Sequence, residues 1–191
     1  SDDVSFFKPK FRFIIPINNF HVPKKLFRLF KKTKFNFKIN FDFEEVISNC
    51  QQNARKDNDS WINDKILNTY LELYKINKCH SVECYEDSKI IGGLYGLQLG
   101  GCFFGESMFS TKSNTSKFCL LFLLAILKKN NFSLLDSQFY NQHLEQFGAY
   151  EIESQTYMAK LKQGLEKKCK FENIYNFHEA LSLIQSTNHK S

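Results

Sequence analysis

Lys89-Ile90-Ile91-Gly92-Gly93-Leu94-Tyr95-Gly96-Leu97-Gln98-Leu99, then Gly100-Gly101, then Cys102-Phe103-Phe104-Gly105-Glu106-Ser107-Met108-Phe109 reads as two extended strands joined by a glycine turn. Glycines inside a strand mark bulges or close backbone approach, so Gly92, Gly93 and Gly96 sit where the sheet needs room. Upstream, His80 to Tyr85 forms another strand, turned by Glu86-Asp87-Ser88. Three strands linked this closely make an antiparallel meander.

Helical periods flank the meander. Ile62, Ile66, Leu67, Tyr70, Leu73 and Tyr74 recur at a spacing near 3.6, an amphipathic helix. A shorter helix runs from Asp42 through Cys50, with Gln51 to Ser60 expected as a loop. Downstream, Ser116 reads as the N-cap of an apolar helix over Lys117 to Lys129. A strand is expected over Phe132 to Tyr140 and a short helix over Asn141 to Phe147, stopped by Gly148. Phe11 to Ile15 and Phe35 to Phe41 complete the strands, and helices near Thr156–Leu165 and Phe177–Ile184 close the chain. The fold class is α+β (mixed α/β) with a central, largely antiparallel sheet.

The net charge of +6 is concentrated at one end. From Val4 to Phe41 there are ten basic residues and no acid, whereas acids outnumber bases elsewhere. Within that segment Lys24, Arg28, Lys31 and Lys32 fall on one stripe of a short helix opened by Pro23. Such a stripe suits phosphate contact, because each cation replaces a condensed counterion. The division expected is a basic N-terminal segment over 1–41 and a main domain over 42–191. The longest apolar run, Cys119 to Leu127, is too short to span a bilayer, so no membrane partner is expected. The six cysteines form no C-x-x-C pair and have no histidine at ligand spacing, so neither a disulfide framework nor a metal site is expected.

Two runs carry candidate chemistry. In Leu134-Leu135-Asp136-Ser137-Gln138-Phe139, strand geometry puts Asp136 and Gln138 on one face. A carboxylate and an amide emerging from an apolar strand need partners, and a strand-end hydrogen-bond arrangement satisfies that as well as a catalytic site does. In Phe103-Phe104-Gly105-Glu106-Ser107-Met108-Phe109-Ser110, alternation puts Glu106 beside Phe104 and Met108, where it needs a donor or a raised pKa. Ser116-Lys117 opens a helix whose N–H groups can receive an anion.

Taken in order, Gly92-Gly93-Leu94-Tyr95-Gly96, Phe104-Gly105-Glu106-Ser107-Met108-Phe109-Ser110, Ser116-Lys117 and Leu135-Asp136-Ser137-Gln138 resemble the bacterial leucyl/phenylalanyl-tRNA–protein transferase family. Trp61-Ile62, Tyr70, His80-Ser81-Val82-Glu83, His143-Leu144 and Phe147-Gly148-Ala149 extend the resemblance, which covers roughly Arg12 to Leu161. It implies a GNAT-like acyltransferase domain that takes leucine or phenylalanine, and also methionine, from an aminoacyl-tRNA. The acceptor is a protein with N-terminal Arg or Lys, which is thereby marked for degradation. Matching positions imply an apolar pocket of Leu94, Phe103, Met108, Leu120, Leu123 and Leu135, with Trp61 and Tyr70 near the nucleotide end and Ser116 also substrate-binding. They imply Asp136, Gln138 and Glu106 as catalytic, and Lys24, Arg28, Lys31 and Lys32 as tRNA-binding. No cofactor is implied, because the ester is already activated. A monomer in the cytoplasm is expected, or in an organelle such as a plastid if the source bears one. Family members carry a glycine-rich, Trp-containing segment before the position matching Arg12, so 1–41 is expected to be a remnant of that region.

Two rivals follow from the same residues. A CoA-dependent N-acetyltransferase would carry glycine in its pyrophosphate loop, and Thr111-Lys112-Ser113-Asn114-Thr115 has none. A non-catalytic tRNA-binding module would need only the basic end.

Overall fold

The computed structural model describes residues 9–56, 63–172, 174 and 176–188. Its strands are β1 (Phe11–Ile15), β2 (Asn36–Ile39), β3 (Cys79–Glu86), β4 (Lys89–Leu99), β5 (Cys102–Ser110), β6 (Leu134–Asp136) and β7 (Tyr150–Glu153). They form one seven-stranded sheet in the order β2-β3-β4-β5-β6-β1-β7. Every pairing is antiparallel except β5 with β6. The α+β class and the largely antiparallel sheet expected from the meander are both observed.

Helices cover both faces. On one lie α1 (Lys24–Lys32), α4 (Thr115–Lys129) and α7 (Phe177–Asn188), packed on Phe13, Val82, Leu94 and Phe103. On the other lie α2 (Phe43–Lys56) and α3 (Asp64–Lys75), packed on Cys79, Tyr95 and Phe109. Of the remaining helices, α5 (Gln142–Glu145) is capped by the Asn141 side chain, and α6 (Ser154–Leu165) packs Tyr157 on Ile14, Cys102 and Leu134. In α4 every residue from Phe118 to Leu127 is buried, which explains its apolar character all round. The basic segment supplies β1 and β2 to this same sheet, while Leu26 and Phe30 of α1 enter the large core. Among the described residues no helix is long and apolar enough to cross a membrane.

Several sequence expectations are corrected. The stretch from Gln51 to Lys56 continues α2 rather than starting a loop, and Gln51 is buried with its amide donating to Asp64 of α3 at 3.3 Å. Asn114, in the left-handed conformation at φ 68°, is the N-cap of α4, and Ser116 lies inside the first turn. The strand over Phe132 to Tyr140 shrinks to β6 because the backbone after Asp136 bends away, and β7 was not anticipated.

Glycines mark the crowded points of the meander. A Cβ on Gly96 would lie 2.2 Å from the Phe104 carbonyl oxygen and 2.4 Å from the Phe103 ring. Gly96→Ala is therefore expected to destabilise the fold by about 1–3 kcal/mol through overpacking, measured by chemical denaturation.

Candidate functional site

Strand β5 pairs with β6 only through Cys102, Phe103 and Phe104, opposite Leu134, Leu135 and Asp136. Beyond that point β5 runs on to Ser110, while the chain after Asp136 turns toward β1 with Ser137 N–H on the Phe13 carbonyl at 2.9 Å. The two strands part, and the gap opens a cavity of about 480 Å³ lined from both faces of the sheet. That is the size of a small-molecule site.

The register of β4 and β5 decides what enters the gap. Tyr95 opposes Ser107 and Gly96 opposes Gly105, which leaves Glu106 as the extra residue of a bulge. A bulge breaks strict alternation. Met108 stays opposite Leu94, on the α4 face, while Glu106 reaches Tyr70 of α3 on the opposite face. The alternation that grouped Glu106 with Met108 is thus corrected by one inserted residue. Glu106 accepts hydrogen bonds from the Tyr70 hydroxyl and, at 2.9 Å, from Gln138 Nε2. Burial pushes its carboxyl above the ordinary carboxylate value, those two donors oppose the rise, nearby Asp136 adds to it, and Arg12 lowers it.

Gln138 leaves the strand at φ 71°, so it does not share a β face with Asp136. Its backbone N–H donates to Asp136 Oδ1 at 2.7 Å. Asp136 is fully buried, pairs with Arg12 Nη2 and accepts from the Tyr157 hydroxyl at 2.6 Å. Its carboxylate therefore acts on the main chain of Gln138, not on the side-chain amide. Glu106 draws the amide NH₂ of Gln138 and so fixes which way that amide faces, leaving its oxygen as the acceptor; Gln138 itself is absent from the cavity wall, to which Asp136 and Glu106 contribute.

Leu94, Met108, Leu120, Leu123 and Leu135 line the cavity together with Ile15 and Leu144. Phe103, expected there, lies on the same α4 face but is fully buried and absent from the cavity wall, its ring packed on Phe171 with centroids 5.5 Å apart. Tyr70 is joined to the site through Glu106. Ser116 is half-buried and absent from the cavity wall. The expectation for Trp61 falls outside the described residues. Lys24, Arg28, Lys31 and Lys32 are exposed on α1 and, with Phe27, line a shallow hollow of about 270 Å³. None of the four pairs with an acid among the described residues.

Sequence reasoning missed Arg12, Tyr157, Tyr95, Cys50 and Ser107. Arg12 had been counted only as part of the positive field, although its apolar strand neighbours placed it inside the sheet. Nothing local in the sequence links Tyr157 to Asp136.

The family model for leucyl/phenylalanyl-tRNA protein transferase matches residues 14–162. A leucyl/phenylalanyl-tRNA–protein transferase of Prosthecochloris aestuarii is 43% identical over 164 residues, covering 86% of this chain and 84% of that protein. One from Chlorobaculum tepidum is 40% identical over 168 residues, covering 88% and 87%. Among solved structures, L-PGS from Bacillus licheniformis aligns with TM-score 0.47 and 10% identity over 93% of this chain and 67% of that one. The PaiA N-acetyltransferase of Thermoplasma acidophilum, in complex with coenzyme A, aligns with TM-score 0.40 and 12% identity over 67% and 88%. With a family model spanning most of its length and relatives at this identity, the chain belongs to the leucyl/phenylalanyl-tRNA protein transferase family.

Proposed function

We propose that this chain is an aminoacyltransferase that moves leucine or phenylalanine from its ester on tRNA to the N-terminal amine of an acceptor protein beginning with Arg or Lys. The observation that carries this reading is the cavity between β5 and β6, apolar on the α4 face and polar at Glu106, to which the Gln138 amide is hydrogen-bonded. Leu94, Leu120, Leu123 and Leu135 receive the amino-acid side chain by hydrophobic fit, and methionine, being unbranched and apolar, fits too. The basic stripe of α1 receives the tRNA backbone.

Chemistry requires an unprotonated acceptor amine, its placement on the acyl carbon, and a donor for the oxyanion. Free α-amino groups have a pKa near 8, so no strong base is needed. Gln138 orients the amine through its amide oxygen, Glu106 fixes which way that amide faces, and Asp136 fixes the backbone of Gln138. The amine nitrogen forms the new C–N bond, the ester C–O bond breaks, and the 3′ oxygen leaves with the proton that the amine releases. The coenzyme A reading is disfavoured at the start of α4. There the N–H groups of Thr111 and Thr115 are spent on Ile91 and Lys112 carbonyls at 2.9 and 3.3 Å.

Transfer assays with differently charged tRNAs test the pocket. Leucine and phenylalanine should be transferred, and aspartate should not, because the pocket offers the carboxylate no partner. Comparable transfer of aspartate contradicts the reading.

The raised carboxyl of Glu106 has a consequence for stability. Its folded pKa lies above the unfolded one, so its stabilising contribution is complete below the unfolded pKa and is lost as pH rises through the folded value. Glu106→Gln removes that loss. The difference in thermal midpoint, variant minus parent, should grow as pH rises from about 4.5. A difference independent of pH would show that Glu106 titrates alike in both states.

A further inference from the structure

Arg12, Asp136 and Tyr157 meet on the α6 face of the sheet. Arg12 opposes Ile152 of β7 and Asp136 opposes Ile14 of β1, so both lie beside the small apolar cluster that holds Ile14, Ile152 and Tyr157. Asp136 contributes to the cavity wall, whereas Arg12 and Tyr157 do not and stand behind it. Replacing a buried ion pair by apolar residues of similar volume is often neutral or stabilising, so a guanidinium in this place gains the fold little.

The pair is also not arranged for strength. An Arg–carboxylate pair is strongest when two parallel N–H groups meet two oxygens. Here Arg12 Nη2 meets Oδ2, and Nε is buried with no hydrogen-bond partner among the described residues. The Tyr157 hydroxyl donates to the same Oδ2 at 2.6 Å, and the guanidinium carbon lies 5.2 Å from its ring centroid. Burial first, then the bond to Asp136 and its charge, push that hydroxyl above its ordinary pKa, so it stays a donor. Both donors thus converge on one oxygen, and Oδ1 is kept for the Gln138 backbone N–H at 2.7 Å. The guanidinium forgoes its second contact, and the carboxylate plane is fixed from behind.

We propose that Arg12 is a positioning residue for transfer, holding Asp136 by Oδ2 together with the Tyr157 hydroxyl so that Oδ1 sets the backbone of Gln138; this deepens the transfer reading and rests on it. Arg12 acts through Asp136 and touches neither ester nor amine. Without it the carboxylate turns about its Cβ–Cγ bond, Gln138 loses a fixed acceptor, and the amide drifts from the attacking amine.

Arg12→Gln and Arg12→Lys are compared with the parent in single-turnover transfer of labelled leucine from charged tRNA to a peptide beginning with Arg, each below its thermal midpoint. The maximal rate of Arg12→Gln should fall on the order of 10-fold, with half-saturation by aminoacyl-tRNA within about twofold. Arg12→Lys should recover most of that rate, because a single nitrogen makes the contact. In an Asp136→Asn background Arg12→Gln should cost no further rate, since the charge it holds is gone. With an active parent, an unchanged maximal rate in Arg12→Gln overturns the proposal whatever the midpoint does, because the pair then serves the fold alone. A full additional loss in the Asp136→Asn background, or a lysine variant as slow as the glutamine one, overturns it too. Should Arg12→Gln fail to fold, Tyr157→Phe decides: a slower maximal rate at unchanged half-saturation supports the proposal, and the parent rate overturns it. An inactive parent is the failure of the transfer reading itself.

Discussion

Asp136→Ala should lower turnover on the order of 10²-fold while changing tRNA affinity less than about twofold, because its carboxylate places Gln138 and touches no part of the tRNA body. The same substitution strips Arg12 and the Tyr157 hydroxyl of their shared acceptor. Breaking a buried pair on one side costs roughly 3–5 kcal/mol, so the variant should also melt earlier. Asp136→Asn separates the two effects. It retains an oxygen for the Gln138 N–H and the shape of the site, and loses the charge that Arg12 pairs with. Turnover by the asparagine variant should lie between parent and alanine, with a smaller loss of thermal midpoint. Equal losses of turnover and tRNA affinity in the alanine variant would mean that Asp136 contributes to binding, not to placement.

Replacing Lys24, Arg28, Lys31 and Lys32 together by Ala should weaken tRNA binding on the order of 10²-fold at physiological salt and leave the fold intact. All four are exposed and none pairs with an acid among the described residues, so surface substitution here costs little stability. If each cation neutralises one phosphate, the salt dependence of binding should lose about 3 to 4 units of log–log slope. The maximal single-turnover rate at saturating tRNA should be unchanged, because α1 and the gap between β5 and β6 use different residues. An unaltered salt slope would show that the stripe is merely a solvated face.

The parts of the fold written in local pattern were legible. Glycine-turned strands predicted the β3–β4–β5 meander, and ten consecutive buried residues from Phe118 to Leu127 correspond to an apolar run that reads as a core helix. The site was only partly legible, because its geometry depends on departures from period. One bulged residue moves Glu106 to the other face of the sheet from Met108, and a left-handed Gln138 takes its side chain out of strand alternation. Neither departure has a sequence signal of its own, since both positions carry ordinary polar residues. Phe103 lies behind the cavity wall rather than on it, and the sequence holds no sign of that. Apolar pocket and apolar core have the same composition, and only the parting of β5 from β6 tells them apart. Arg12 and Tyr157 lie more than a hundred and about twenty residues from Asp136, so their convergence is a property of the sheet order β6-β1-β7 and the helix behind it.

Single-turnover transfer of labelled leucine from charged tRNA to a peptide beginning with Arg, with an N-terminally acetylated peptide as control, tests the central claim most directly. The account predicts label on the free peptide and none on the acetylated one, since only a free amine can form the new bond. Tight binding of the charged tRNA without transfer to the free peptide would contradict it and leave an RNA-binding module in its place.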